Sequence, residues 1–186
     1  MKTISTVFLL VFLFLLESCS TKKTEDSKEV AEEQNEAKFD DTNLEDVTEF
    51  AVNAADAGMM EVEAGSLALT KASSPKVKEF AQTMIDDHKK ANEELKALAQ
   101  GKNISLPPSL SDKCQKKYND LMEKSGSDFD KAYADLMVKD HKDVVDRFKK
   151  ASENAKDQDL KNWATEKLPA LQHHLEMAET LQKGVK

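Results

Sequence analysis

The sequence predicts an all-α fold: four long helices in a bundle, with one extra short connecting helix. Three observations carry this. Only 5 Gly and 4 Pro interrupt 186 residues, and 33% of the chain is charged, against a background rich in Ala, Leu, Lys and Glu. Four long stretches place small or apolar residues at steps of three and four, the spacing of one helix face. The few strong breakers fall between those stretches rather than inside them, with Pro169 the exception.

The chain divides into three parts. Residues 1–18 read as a signal peptide: Lys2 gives a positive start, and "VFLLVFLFLL" from Val7 to Leu16 is too short to span a bilayer as a stable helix. The following "LESC", Leu16 to Cys19, resembles the lipobox of bacterial lipoproteins, which implies that Cys19 becomes the lipidated first residue of the mature chain. Ser20 after that cysteine carries the expectation of an outer-membrane destination. With Cys19 lipidated, Cys114 stands alone and no intrachain disulfide is available. Residues 19–42 are charged and nearly free of large apolar groups, and read as a flexible tether. Residues 43–186 are enough for one domain. A net charge of −8 argues against a nucleic-acid partner, and against binding to anionic lipid beyond the anchor itself.

Within the domain, the first helix is expected over 44–72, with Ala51, Ala54, Gly58, Gly65, Ala68 and Ala72 as a stripe that lets a neighbour approach closely. Ser74-Pro75 ends it and opens the second, with Ser as N-cap and Pro at the first helical position. The second, 75–100, faces inward with Val77, Ala81, Met84, His88, Ala91, Leu95 and Leu98. Gly101, Asn103, Pro107 and Pro108 break it, and a short helix over 111–124 follows. The third long helix, 127–154, carries Asp130, Ala134, Met137, His141, Val144, Phe148 and Ala151. The fourth, 157–183, carries Leu160, Trp163, Leu168, Leu171, Leu175 and Ala178, with His174 bordering that face and His173 turned toward the rim. Pro169 is expected to kink this helix or restart it. "FAQTMIDDHKKANEEL" from Phe80 and "YADLMVKDHKDVVDRF" from Tyr133 align without gaps and pair Met84 with Met137, Asp87 with Asp140 and His88 with His141.

The strings "AADAGMMEVEAGSLAL", "VKEFAQTMIDDHKKANEELKALA", "FDKAYADLMVKDH" and "LPALQHHLEMA", in that order and spacing, resemble the bacterial domain of unknown function 4142 over about residues 50–181. The resemblance implies a ferritin-like helical bundle, common in exported proteins and lipoproteins, and implies no agreed activity. Its motif residues match Glu61, Asp87, His88, Asp130, Tyr133, Asp140, His141, Pro169 and His174.

Only four histidines occur, and three fall at mid-helix. Glu61 lies about 13 residues before the Ser74 turn and His88 about 14 after it, so each is roughly 20 Å from that turn. His141 and His174 lie about 22 and 27 Å from the turn near Lys156 on the same rise per residue. One polar side chain from each long helix therefore reaches a common layer. Two readings follow. One is a metal site of Glu61, His88, His141 and His174, with Asp130 or an adjacent Asp as an outer ligand; imidazole and carboxylate from facing helices suit a divalent first-row metal. Asp87 and Asp140, about 100° round their helices, suit supporting roles behind the ligands or salt bridges. The other is a structural polar layer, in which buried neutral histidines bond to a carboxylate or to Tyr133 and set helix register. A di-iron enzyme is disfavoured because Ile85, Val138 and Leu171 stand three residues before the histidines, where Glu-x-x-His needs Glu. The methionines read as core filler rather than copper ligands. The sequence thus points to a lipid-anchored envelope bundle acting as a non-enzymatic structural or binding module, with a metal-binding module as the alternative.

Overall fold

The computed structural model describes residues 25–39 and 44–185. Among them the chain forms six helices: α1 Ser27–Phe39, α2 Glu45–Lys71, α3 Pro75–Gly101, α4 Asp112–Met122, α5 Gly126–Asn154 and α6 Gln158–Gly184. Apart from an isolated bridge between Ala72 and Gly126, no strand pairing occurs among the described residues. The expected signal peptide and the expected lipidation site, Cys19, lie outside the described residues.

The four long helices pack in the ring order α2, α3, α6, α5, each against its two neighbours. Their directions follow from two pairs of facing residues. Phe80 meets Tyr133 edge-on at 6.2 Å between ring centroids, and His88 meets His141 at 5.7 Å. The two aligned segments thus lie at matching heights on α3 and α5, which face one another across the core and run in the same direction. The chain between them, with α4, must therefore return along the length of the molecule. Its far end is pinned where Gly126, at φ +57, bridges Ala72. The left-handed backbone there suits glycine, which has no Cβ to clash.

The α2–α3 turn is capped from outside. Ser74 has N-cap geometry but makes no side-chain cap. The Asp130 carboxylate of α5 instead accepts from the Ser73 and Ser74 N–H groups at 3.1 and 2.9 Å and from the Ser73 hydroxyl at 2.5 Å. At the start of α6, Asp157 does cap its own helix, accepting from the Leu160 N–H. Lys102, just past α3, reaches Asp157 and Asp159 at 2.7 Å each. Pro169 neither ends nor restarts α6, which runs unbroken through it. A proline costs a helix one backbone hydrogen bond, and here packing along the neighbouring α5 and α3 outweighs that loss.

Part of the expected tether is ordered structure. Residues 27–39 form α1, which lies against α2. Composition argued against this because the segment has little apolar surface. Its docking is mostly polar: Asn35 exchanges two hydrogen bonds with the Ser105 backbone, the Ser27 hydroxyl donates to the Ser109 carbonyl, and Asp26 accepts from the Asp112 N–H at the start of α4. Ala31 supplies a small buried contact.

Two apolar clusters fill the interior. One, at the Ser74 end, includes Met60, Met84, Phe129, Tyr133, Met137 and Ala178. The other includes Ala51, Leu95, Phe148, Leu160, Trp163 and Leu171. The polar layer lies between them. The small-residue stripe of α2 has a measurable role at Gly65, where an added Cβ would sit 2.8 Å from Ile85 Cγ1 and 3.1 Å from the Ala81 carbonyl oxygen. Gly65→Ala should therefore destabilise by about 1–2 kcal/mol net of the helix-propensity gain. At Gly58 the Cβ would meet the Asn92 side-chain oxygen at 2.0 Å, the end of a half-buried side chain that can turn away. Gly58→Ala should then be within about 0.5 kcal/mol of neutral. Urea unfolding of both variants checks the contrast, and equal losses would contradict it.

Candidate metal centre

Each histidine is delivered by the stripe that buries its helix. His88 is four residues after Met84, and His141 four after Met137, on the faces that α3 and α5 turn to the core. His174 lies three after Leu171 on α6 and is fully packed, whereas His173 is exposed. The three buried rings form a nearly equilateral triangle, with centroid separations of 5.7, 5.5 and 5.6 Å. One ring nitrogen from each lies within 4.8 Å of the others. An atom central to a triangle of at most that side would be no more than about 2.8 Å from each corner, so each ring need move in by at most roughly 0.7 Å to reach the 2.0–2.1 Å of a metal–imidazole bond.

The outer hydrogen bonds set the protonation of two rings. His141 Nδ1–H donates to the Met137 carbonyl at 2.9 Å, and His174 Nε2–H donates to the Asp87 carboxylate at 2.8 Å. In neutral rings the lone pairs then lie on His141 Nε2 and His174 Nδ1. These two atoms, together with His88 Nε2, are buried without a hydrogen-bond partner among the described residues. Burial disfavours the charged ring at all three. It holds His88 well below the ordinary histidine range, with further repulsion from His141 and His174; it brings His141 down to about 4 and lowers His174 as well. The result is three neutral imidazoles with unused donor capacity, the state a metal requires of them.

Glu61 reaches the same layer from α2 but not the same point. Its Oε1 lies 3.6 Å from His141 Nδ1, the outward nitrogen already given to Met137, and its Oε2 has no partner among the described residues. Burial, reinforced by Asp140 and opposed by Lys117, raises its carboxyl to about 8. Glu61 therefore stands behind His141 instead of joining the three nitrogens, because a helix face and a height leave undetermined which side of a neighbouring ring a carboxylate meets. The Tyr133 hydroxyl, buried beside the same carboxylate, is also unpartnered among the described residues, so it bonds to none of the histidines. Asp140 is taken by Lys117 of α4 at 2.7 and 2.8 Å. Asp130 is committed to the α2–α3 turn and is no ligand here. Asp87, behind His174, holds that ring in place.

The sequence reading missed Lys117 and the buried group around Asp56. Asp56 accepts from Ser111 N–H and hydroxyl at 2.8 and 2.7 Å and from the Cys114 thiol at 3.2 Å. Burial, together with the Asp56 charge, pushes that thiol up to about 12, so it is a packed, unreactive group. The family model described as "Domain of unknown function (DUF4142)" matches residues 28–181. The chain belongs to the DUF4142 family. The match begins inside α1, so that helix is part of the DUF4142 domain and not only its lead-in. None of the curated proteins and none of the solved structures compared with it matches the chain. The residues matched to the family's motif thus divide: His88, His141, His174, Asp87, Glu61 and Tyr133 gather at or beside the central layer, with Asp140 held by Lys117 near Glu61, while Asp130 caps a turn and Pro169 lies within α6.

Proposed function

We propose that this protein is a lipid-anchored component of the bacterial cell envelope, in which a ferritin-like four-helix bundle holds one divalent first-row metal ion on His88, His141 and His174. The observation that carries the metal reading is the convergence of three buried, neutral histidines from three different helices, each with a ring nitrogen that has no partner among the described residues. A layer built only for register would pair those nitrogens with one another or with Glu61 and Tyr133, because an unmet buried polar group costs about 1–3 kcal/mol. Imidazole donors select zinc, copper, iron or nickel over calcium or magnesium. The Asp87–His174 bond is the carboxylate–histidine support that metal sites use to orient a ligand.

The ferritin-like assignment rests on chain path: α3 and α5 run in the same direction and are joined by one long return connection, as in bundles with a single crossover. The anchor rests on the "LESC" segment; among the described residues no helix is long and apolar enough to cross a membrane. A holding role is favoured over di-iron chemistry by the missing Glu-x-x-His motifs.

The test is metal content and metal-dependent melting of the full chain, purified in detergent without a histidine tag. About one ion per chain is expected, and free metal at about 100 times its Kd should raise the melting temperature by roughly 5–10 °C. The His88→Ala/His141→Ala pair should lose both effects. Absence of bound metal, with no stabilisation by zinc, copper, iron or manganese, would return the layer to a structural role. In that case His88→Leu should stabilise the fold.

A further inference from the structure

Three histidines complete only three corners of the four-coordinate geometry that imidazole-bound zinc, cobalt or copper commonly adopts, and among the described residues nothing in the layer supplies the fourth. Asp87 is bonded to the outer nitrogen of His174, and Glu61 Oε1 faces the outer nitrogen of His141. In protein sites of this kind the fourth position belongs to solvent or substrate.

The structure provides room for such a ligand. A cavity of about 30 Å³ lies against the rings of His88 and His141 and the carboxyl of Glu61. That is space for one or two water-sized groups, since a single water needs about 10–15 Å³ by the same measure. Its floor is buried, but its walls lead outward: Ala57 of α2 and Ala91 of α3 are half-buried, and so is Asn92 at its edge. These alanines leave open a path that larger side chains would close. Gly58 contributes to the same edge, because only a residue without Cβ lets the Asn92 carboxamide lie against α2 there.

We propose that the tris-histidine centre is an open site, which binds one exchangeable ligand of one to three heavy atoms on the metal, admitted through the cavity that residues of all four long helices line. The inference rests on the metal reading above. Glu61 also lines the cavity, with its Oε2 buried and unpartnered among the described residues, so a polar group stands beside the route a ligand would take. The narrow, largely apolar passage restricts that ligand to species such as water, dioxygen or azide and excludes carboxylic acids and amino acids.

The experiment uses the full chain loaded with cobalt(II), with stoichiometry measured before any ligand is added, and azide as the probe followed by visible d–d absorption. The expected result is a saturable spectral change in the parent. Ala91→Leu should weaken azide binding by about tenfold or more while keeping cobalt stoichiometry, the effect of blocking a small pocket; Ala57→Leu, from the opposite wall, gives an independent check should Ala91→Leu not fold. Bound cobalt whose spectrum ignores azide overturns the open site and leaves the metal reading intact. So does a filled, cobalt-loaded variant that binds azide as well as the parent. A parent that takes up no cobalt overturns both.

Discussion

Asp130→Ala should lower the stability of the fold by about 3–5 kcal/mol, a large share of the 5–15 kcal/mol typical of a domain. Asp130 is 4% exposed. Its carboxylate is the acceptor for two backbone N–H groups and one hydroxyl at the α2–α3 turn, and so takes over the capping of α3 that the Ser74 side chain does not perform. Hydrogen bonds to a charged acceptor are worth about 1.5–3 kcal/mol each, though not additively, and the truncation leaves the donors at a helix N-terminus without a partner. Asp130→Asn, which keeps one acceptor oxygen, should recover about half of the loss. Urea unfolding of both variants measures it. A loss below about 1 kcal/mol for the alanine variant would mean that water replaces the carboxylate, and that the turn is held by packing alone.

The metal-free protein should be most stable near pH 6.5 and should lose stability in both directions. His88, His141 and His174 titrate lower in the folded state than the ordinary 6.5, with His141 at about 4. Below pH 6.5 the unfolded chain therefore binds protons that the folded chain refuses, and each such histidine removes about 1.4 kcal/mol per pH unit as pH falls toward its folded value. Glu61 acts in the opposite sense. Raised to about 8 from 4.5, it keeps a proton in the folded state that the unfolded chain has released, so its contribution falls as pH rises from 4.5 to 8. Between pH 4.5 and 6.5 the histidines outweigh the one carboxyl, so stability falls as pH falls; from 6.5 to 8 only Glu61 remains, at about −1.4 kcal/mol per pH unit. Melting temperature against pH reads both limbs. Glu61→Gln should flatten the alkaline limb, and His88→Leu/His141→Leu should flatten most of the acid limb. A melting temperature constant from pH 7 to pH 5 would rule out the buried neutral histidines.

The long helices could be read closely from the chain because spacing of small and apolar residues reports a helix face, and residue count reports height. Both are local quantities. The expected 75–100, 127–154 and 157–183 differ from α3, α5 and α6 by single residues at their ends. Height alone also placed His88, His141 and His174 in one layer. What was not legible depends on lateral placement. Glu61 has the right height and the right helix, yet meets the back of His141. Asp130 lies on the inward stripe as expected, but at the start of α5, where the neighbouring chain is a turn and not the site. Lys117 carries no periodic signal, since its partner Asp140 depends on how the return connection lies across α5. α1 was missed for a related reason: its contacts are hydrogen bonds to the loop before α4, and composition scores apolar surface only.

The three histidines belong to both halves of the chain, His88 to the α2–α3 hairpin and His141 and His174 to the α5–α6 hairpin. An ion seated among them would be a staple across the molecule, closing loops of tens of residues as a disulfide does, in a chain whose one described cysteine is free. Such an ion could take up a molecule the size of water through the narrow cavity, but could not itself leave for a chelator far too large to follow. Its release would have to await separation of the hairpins, so the lifetime of the bound metal would be set by how often the fold opens rather than by the strength of three bonds.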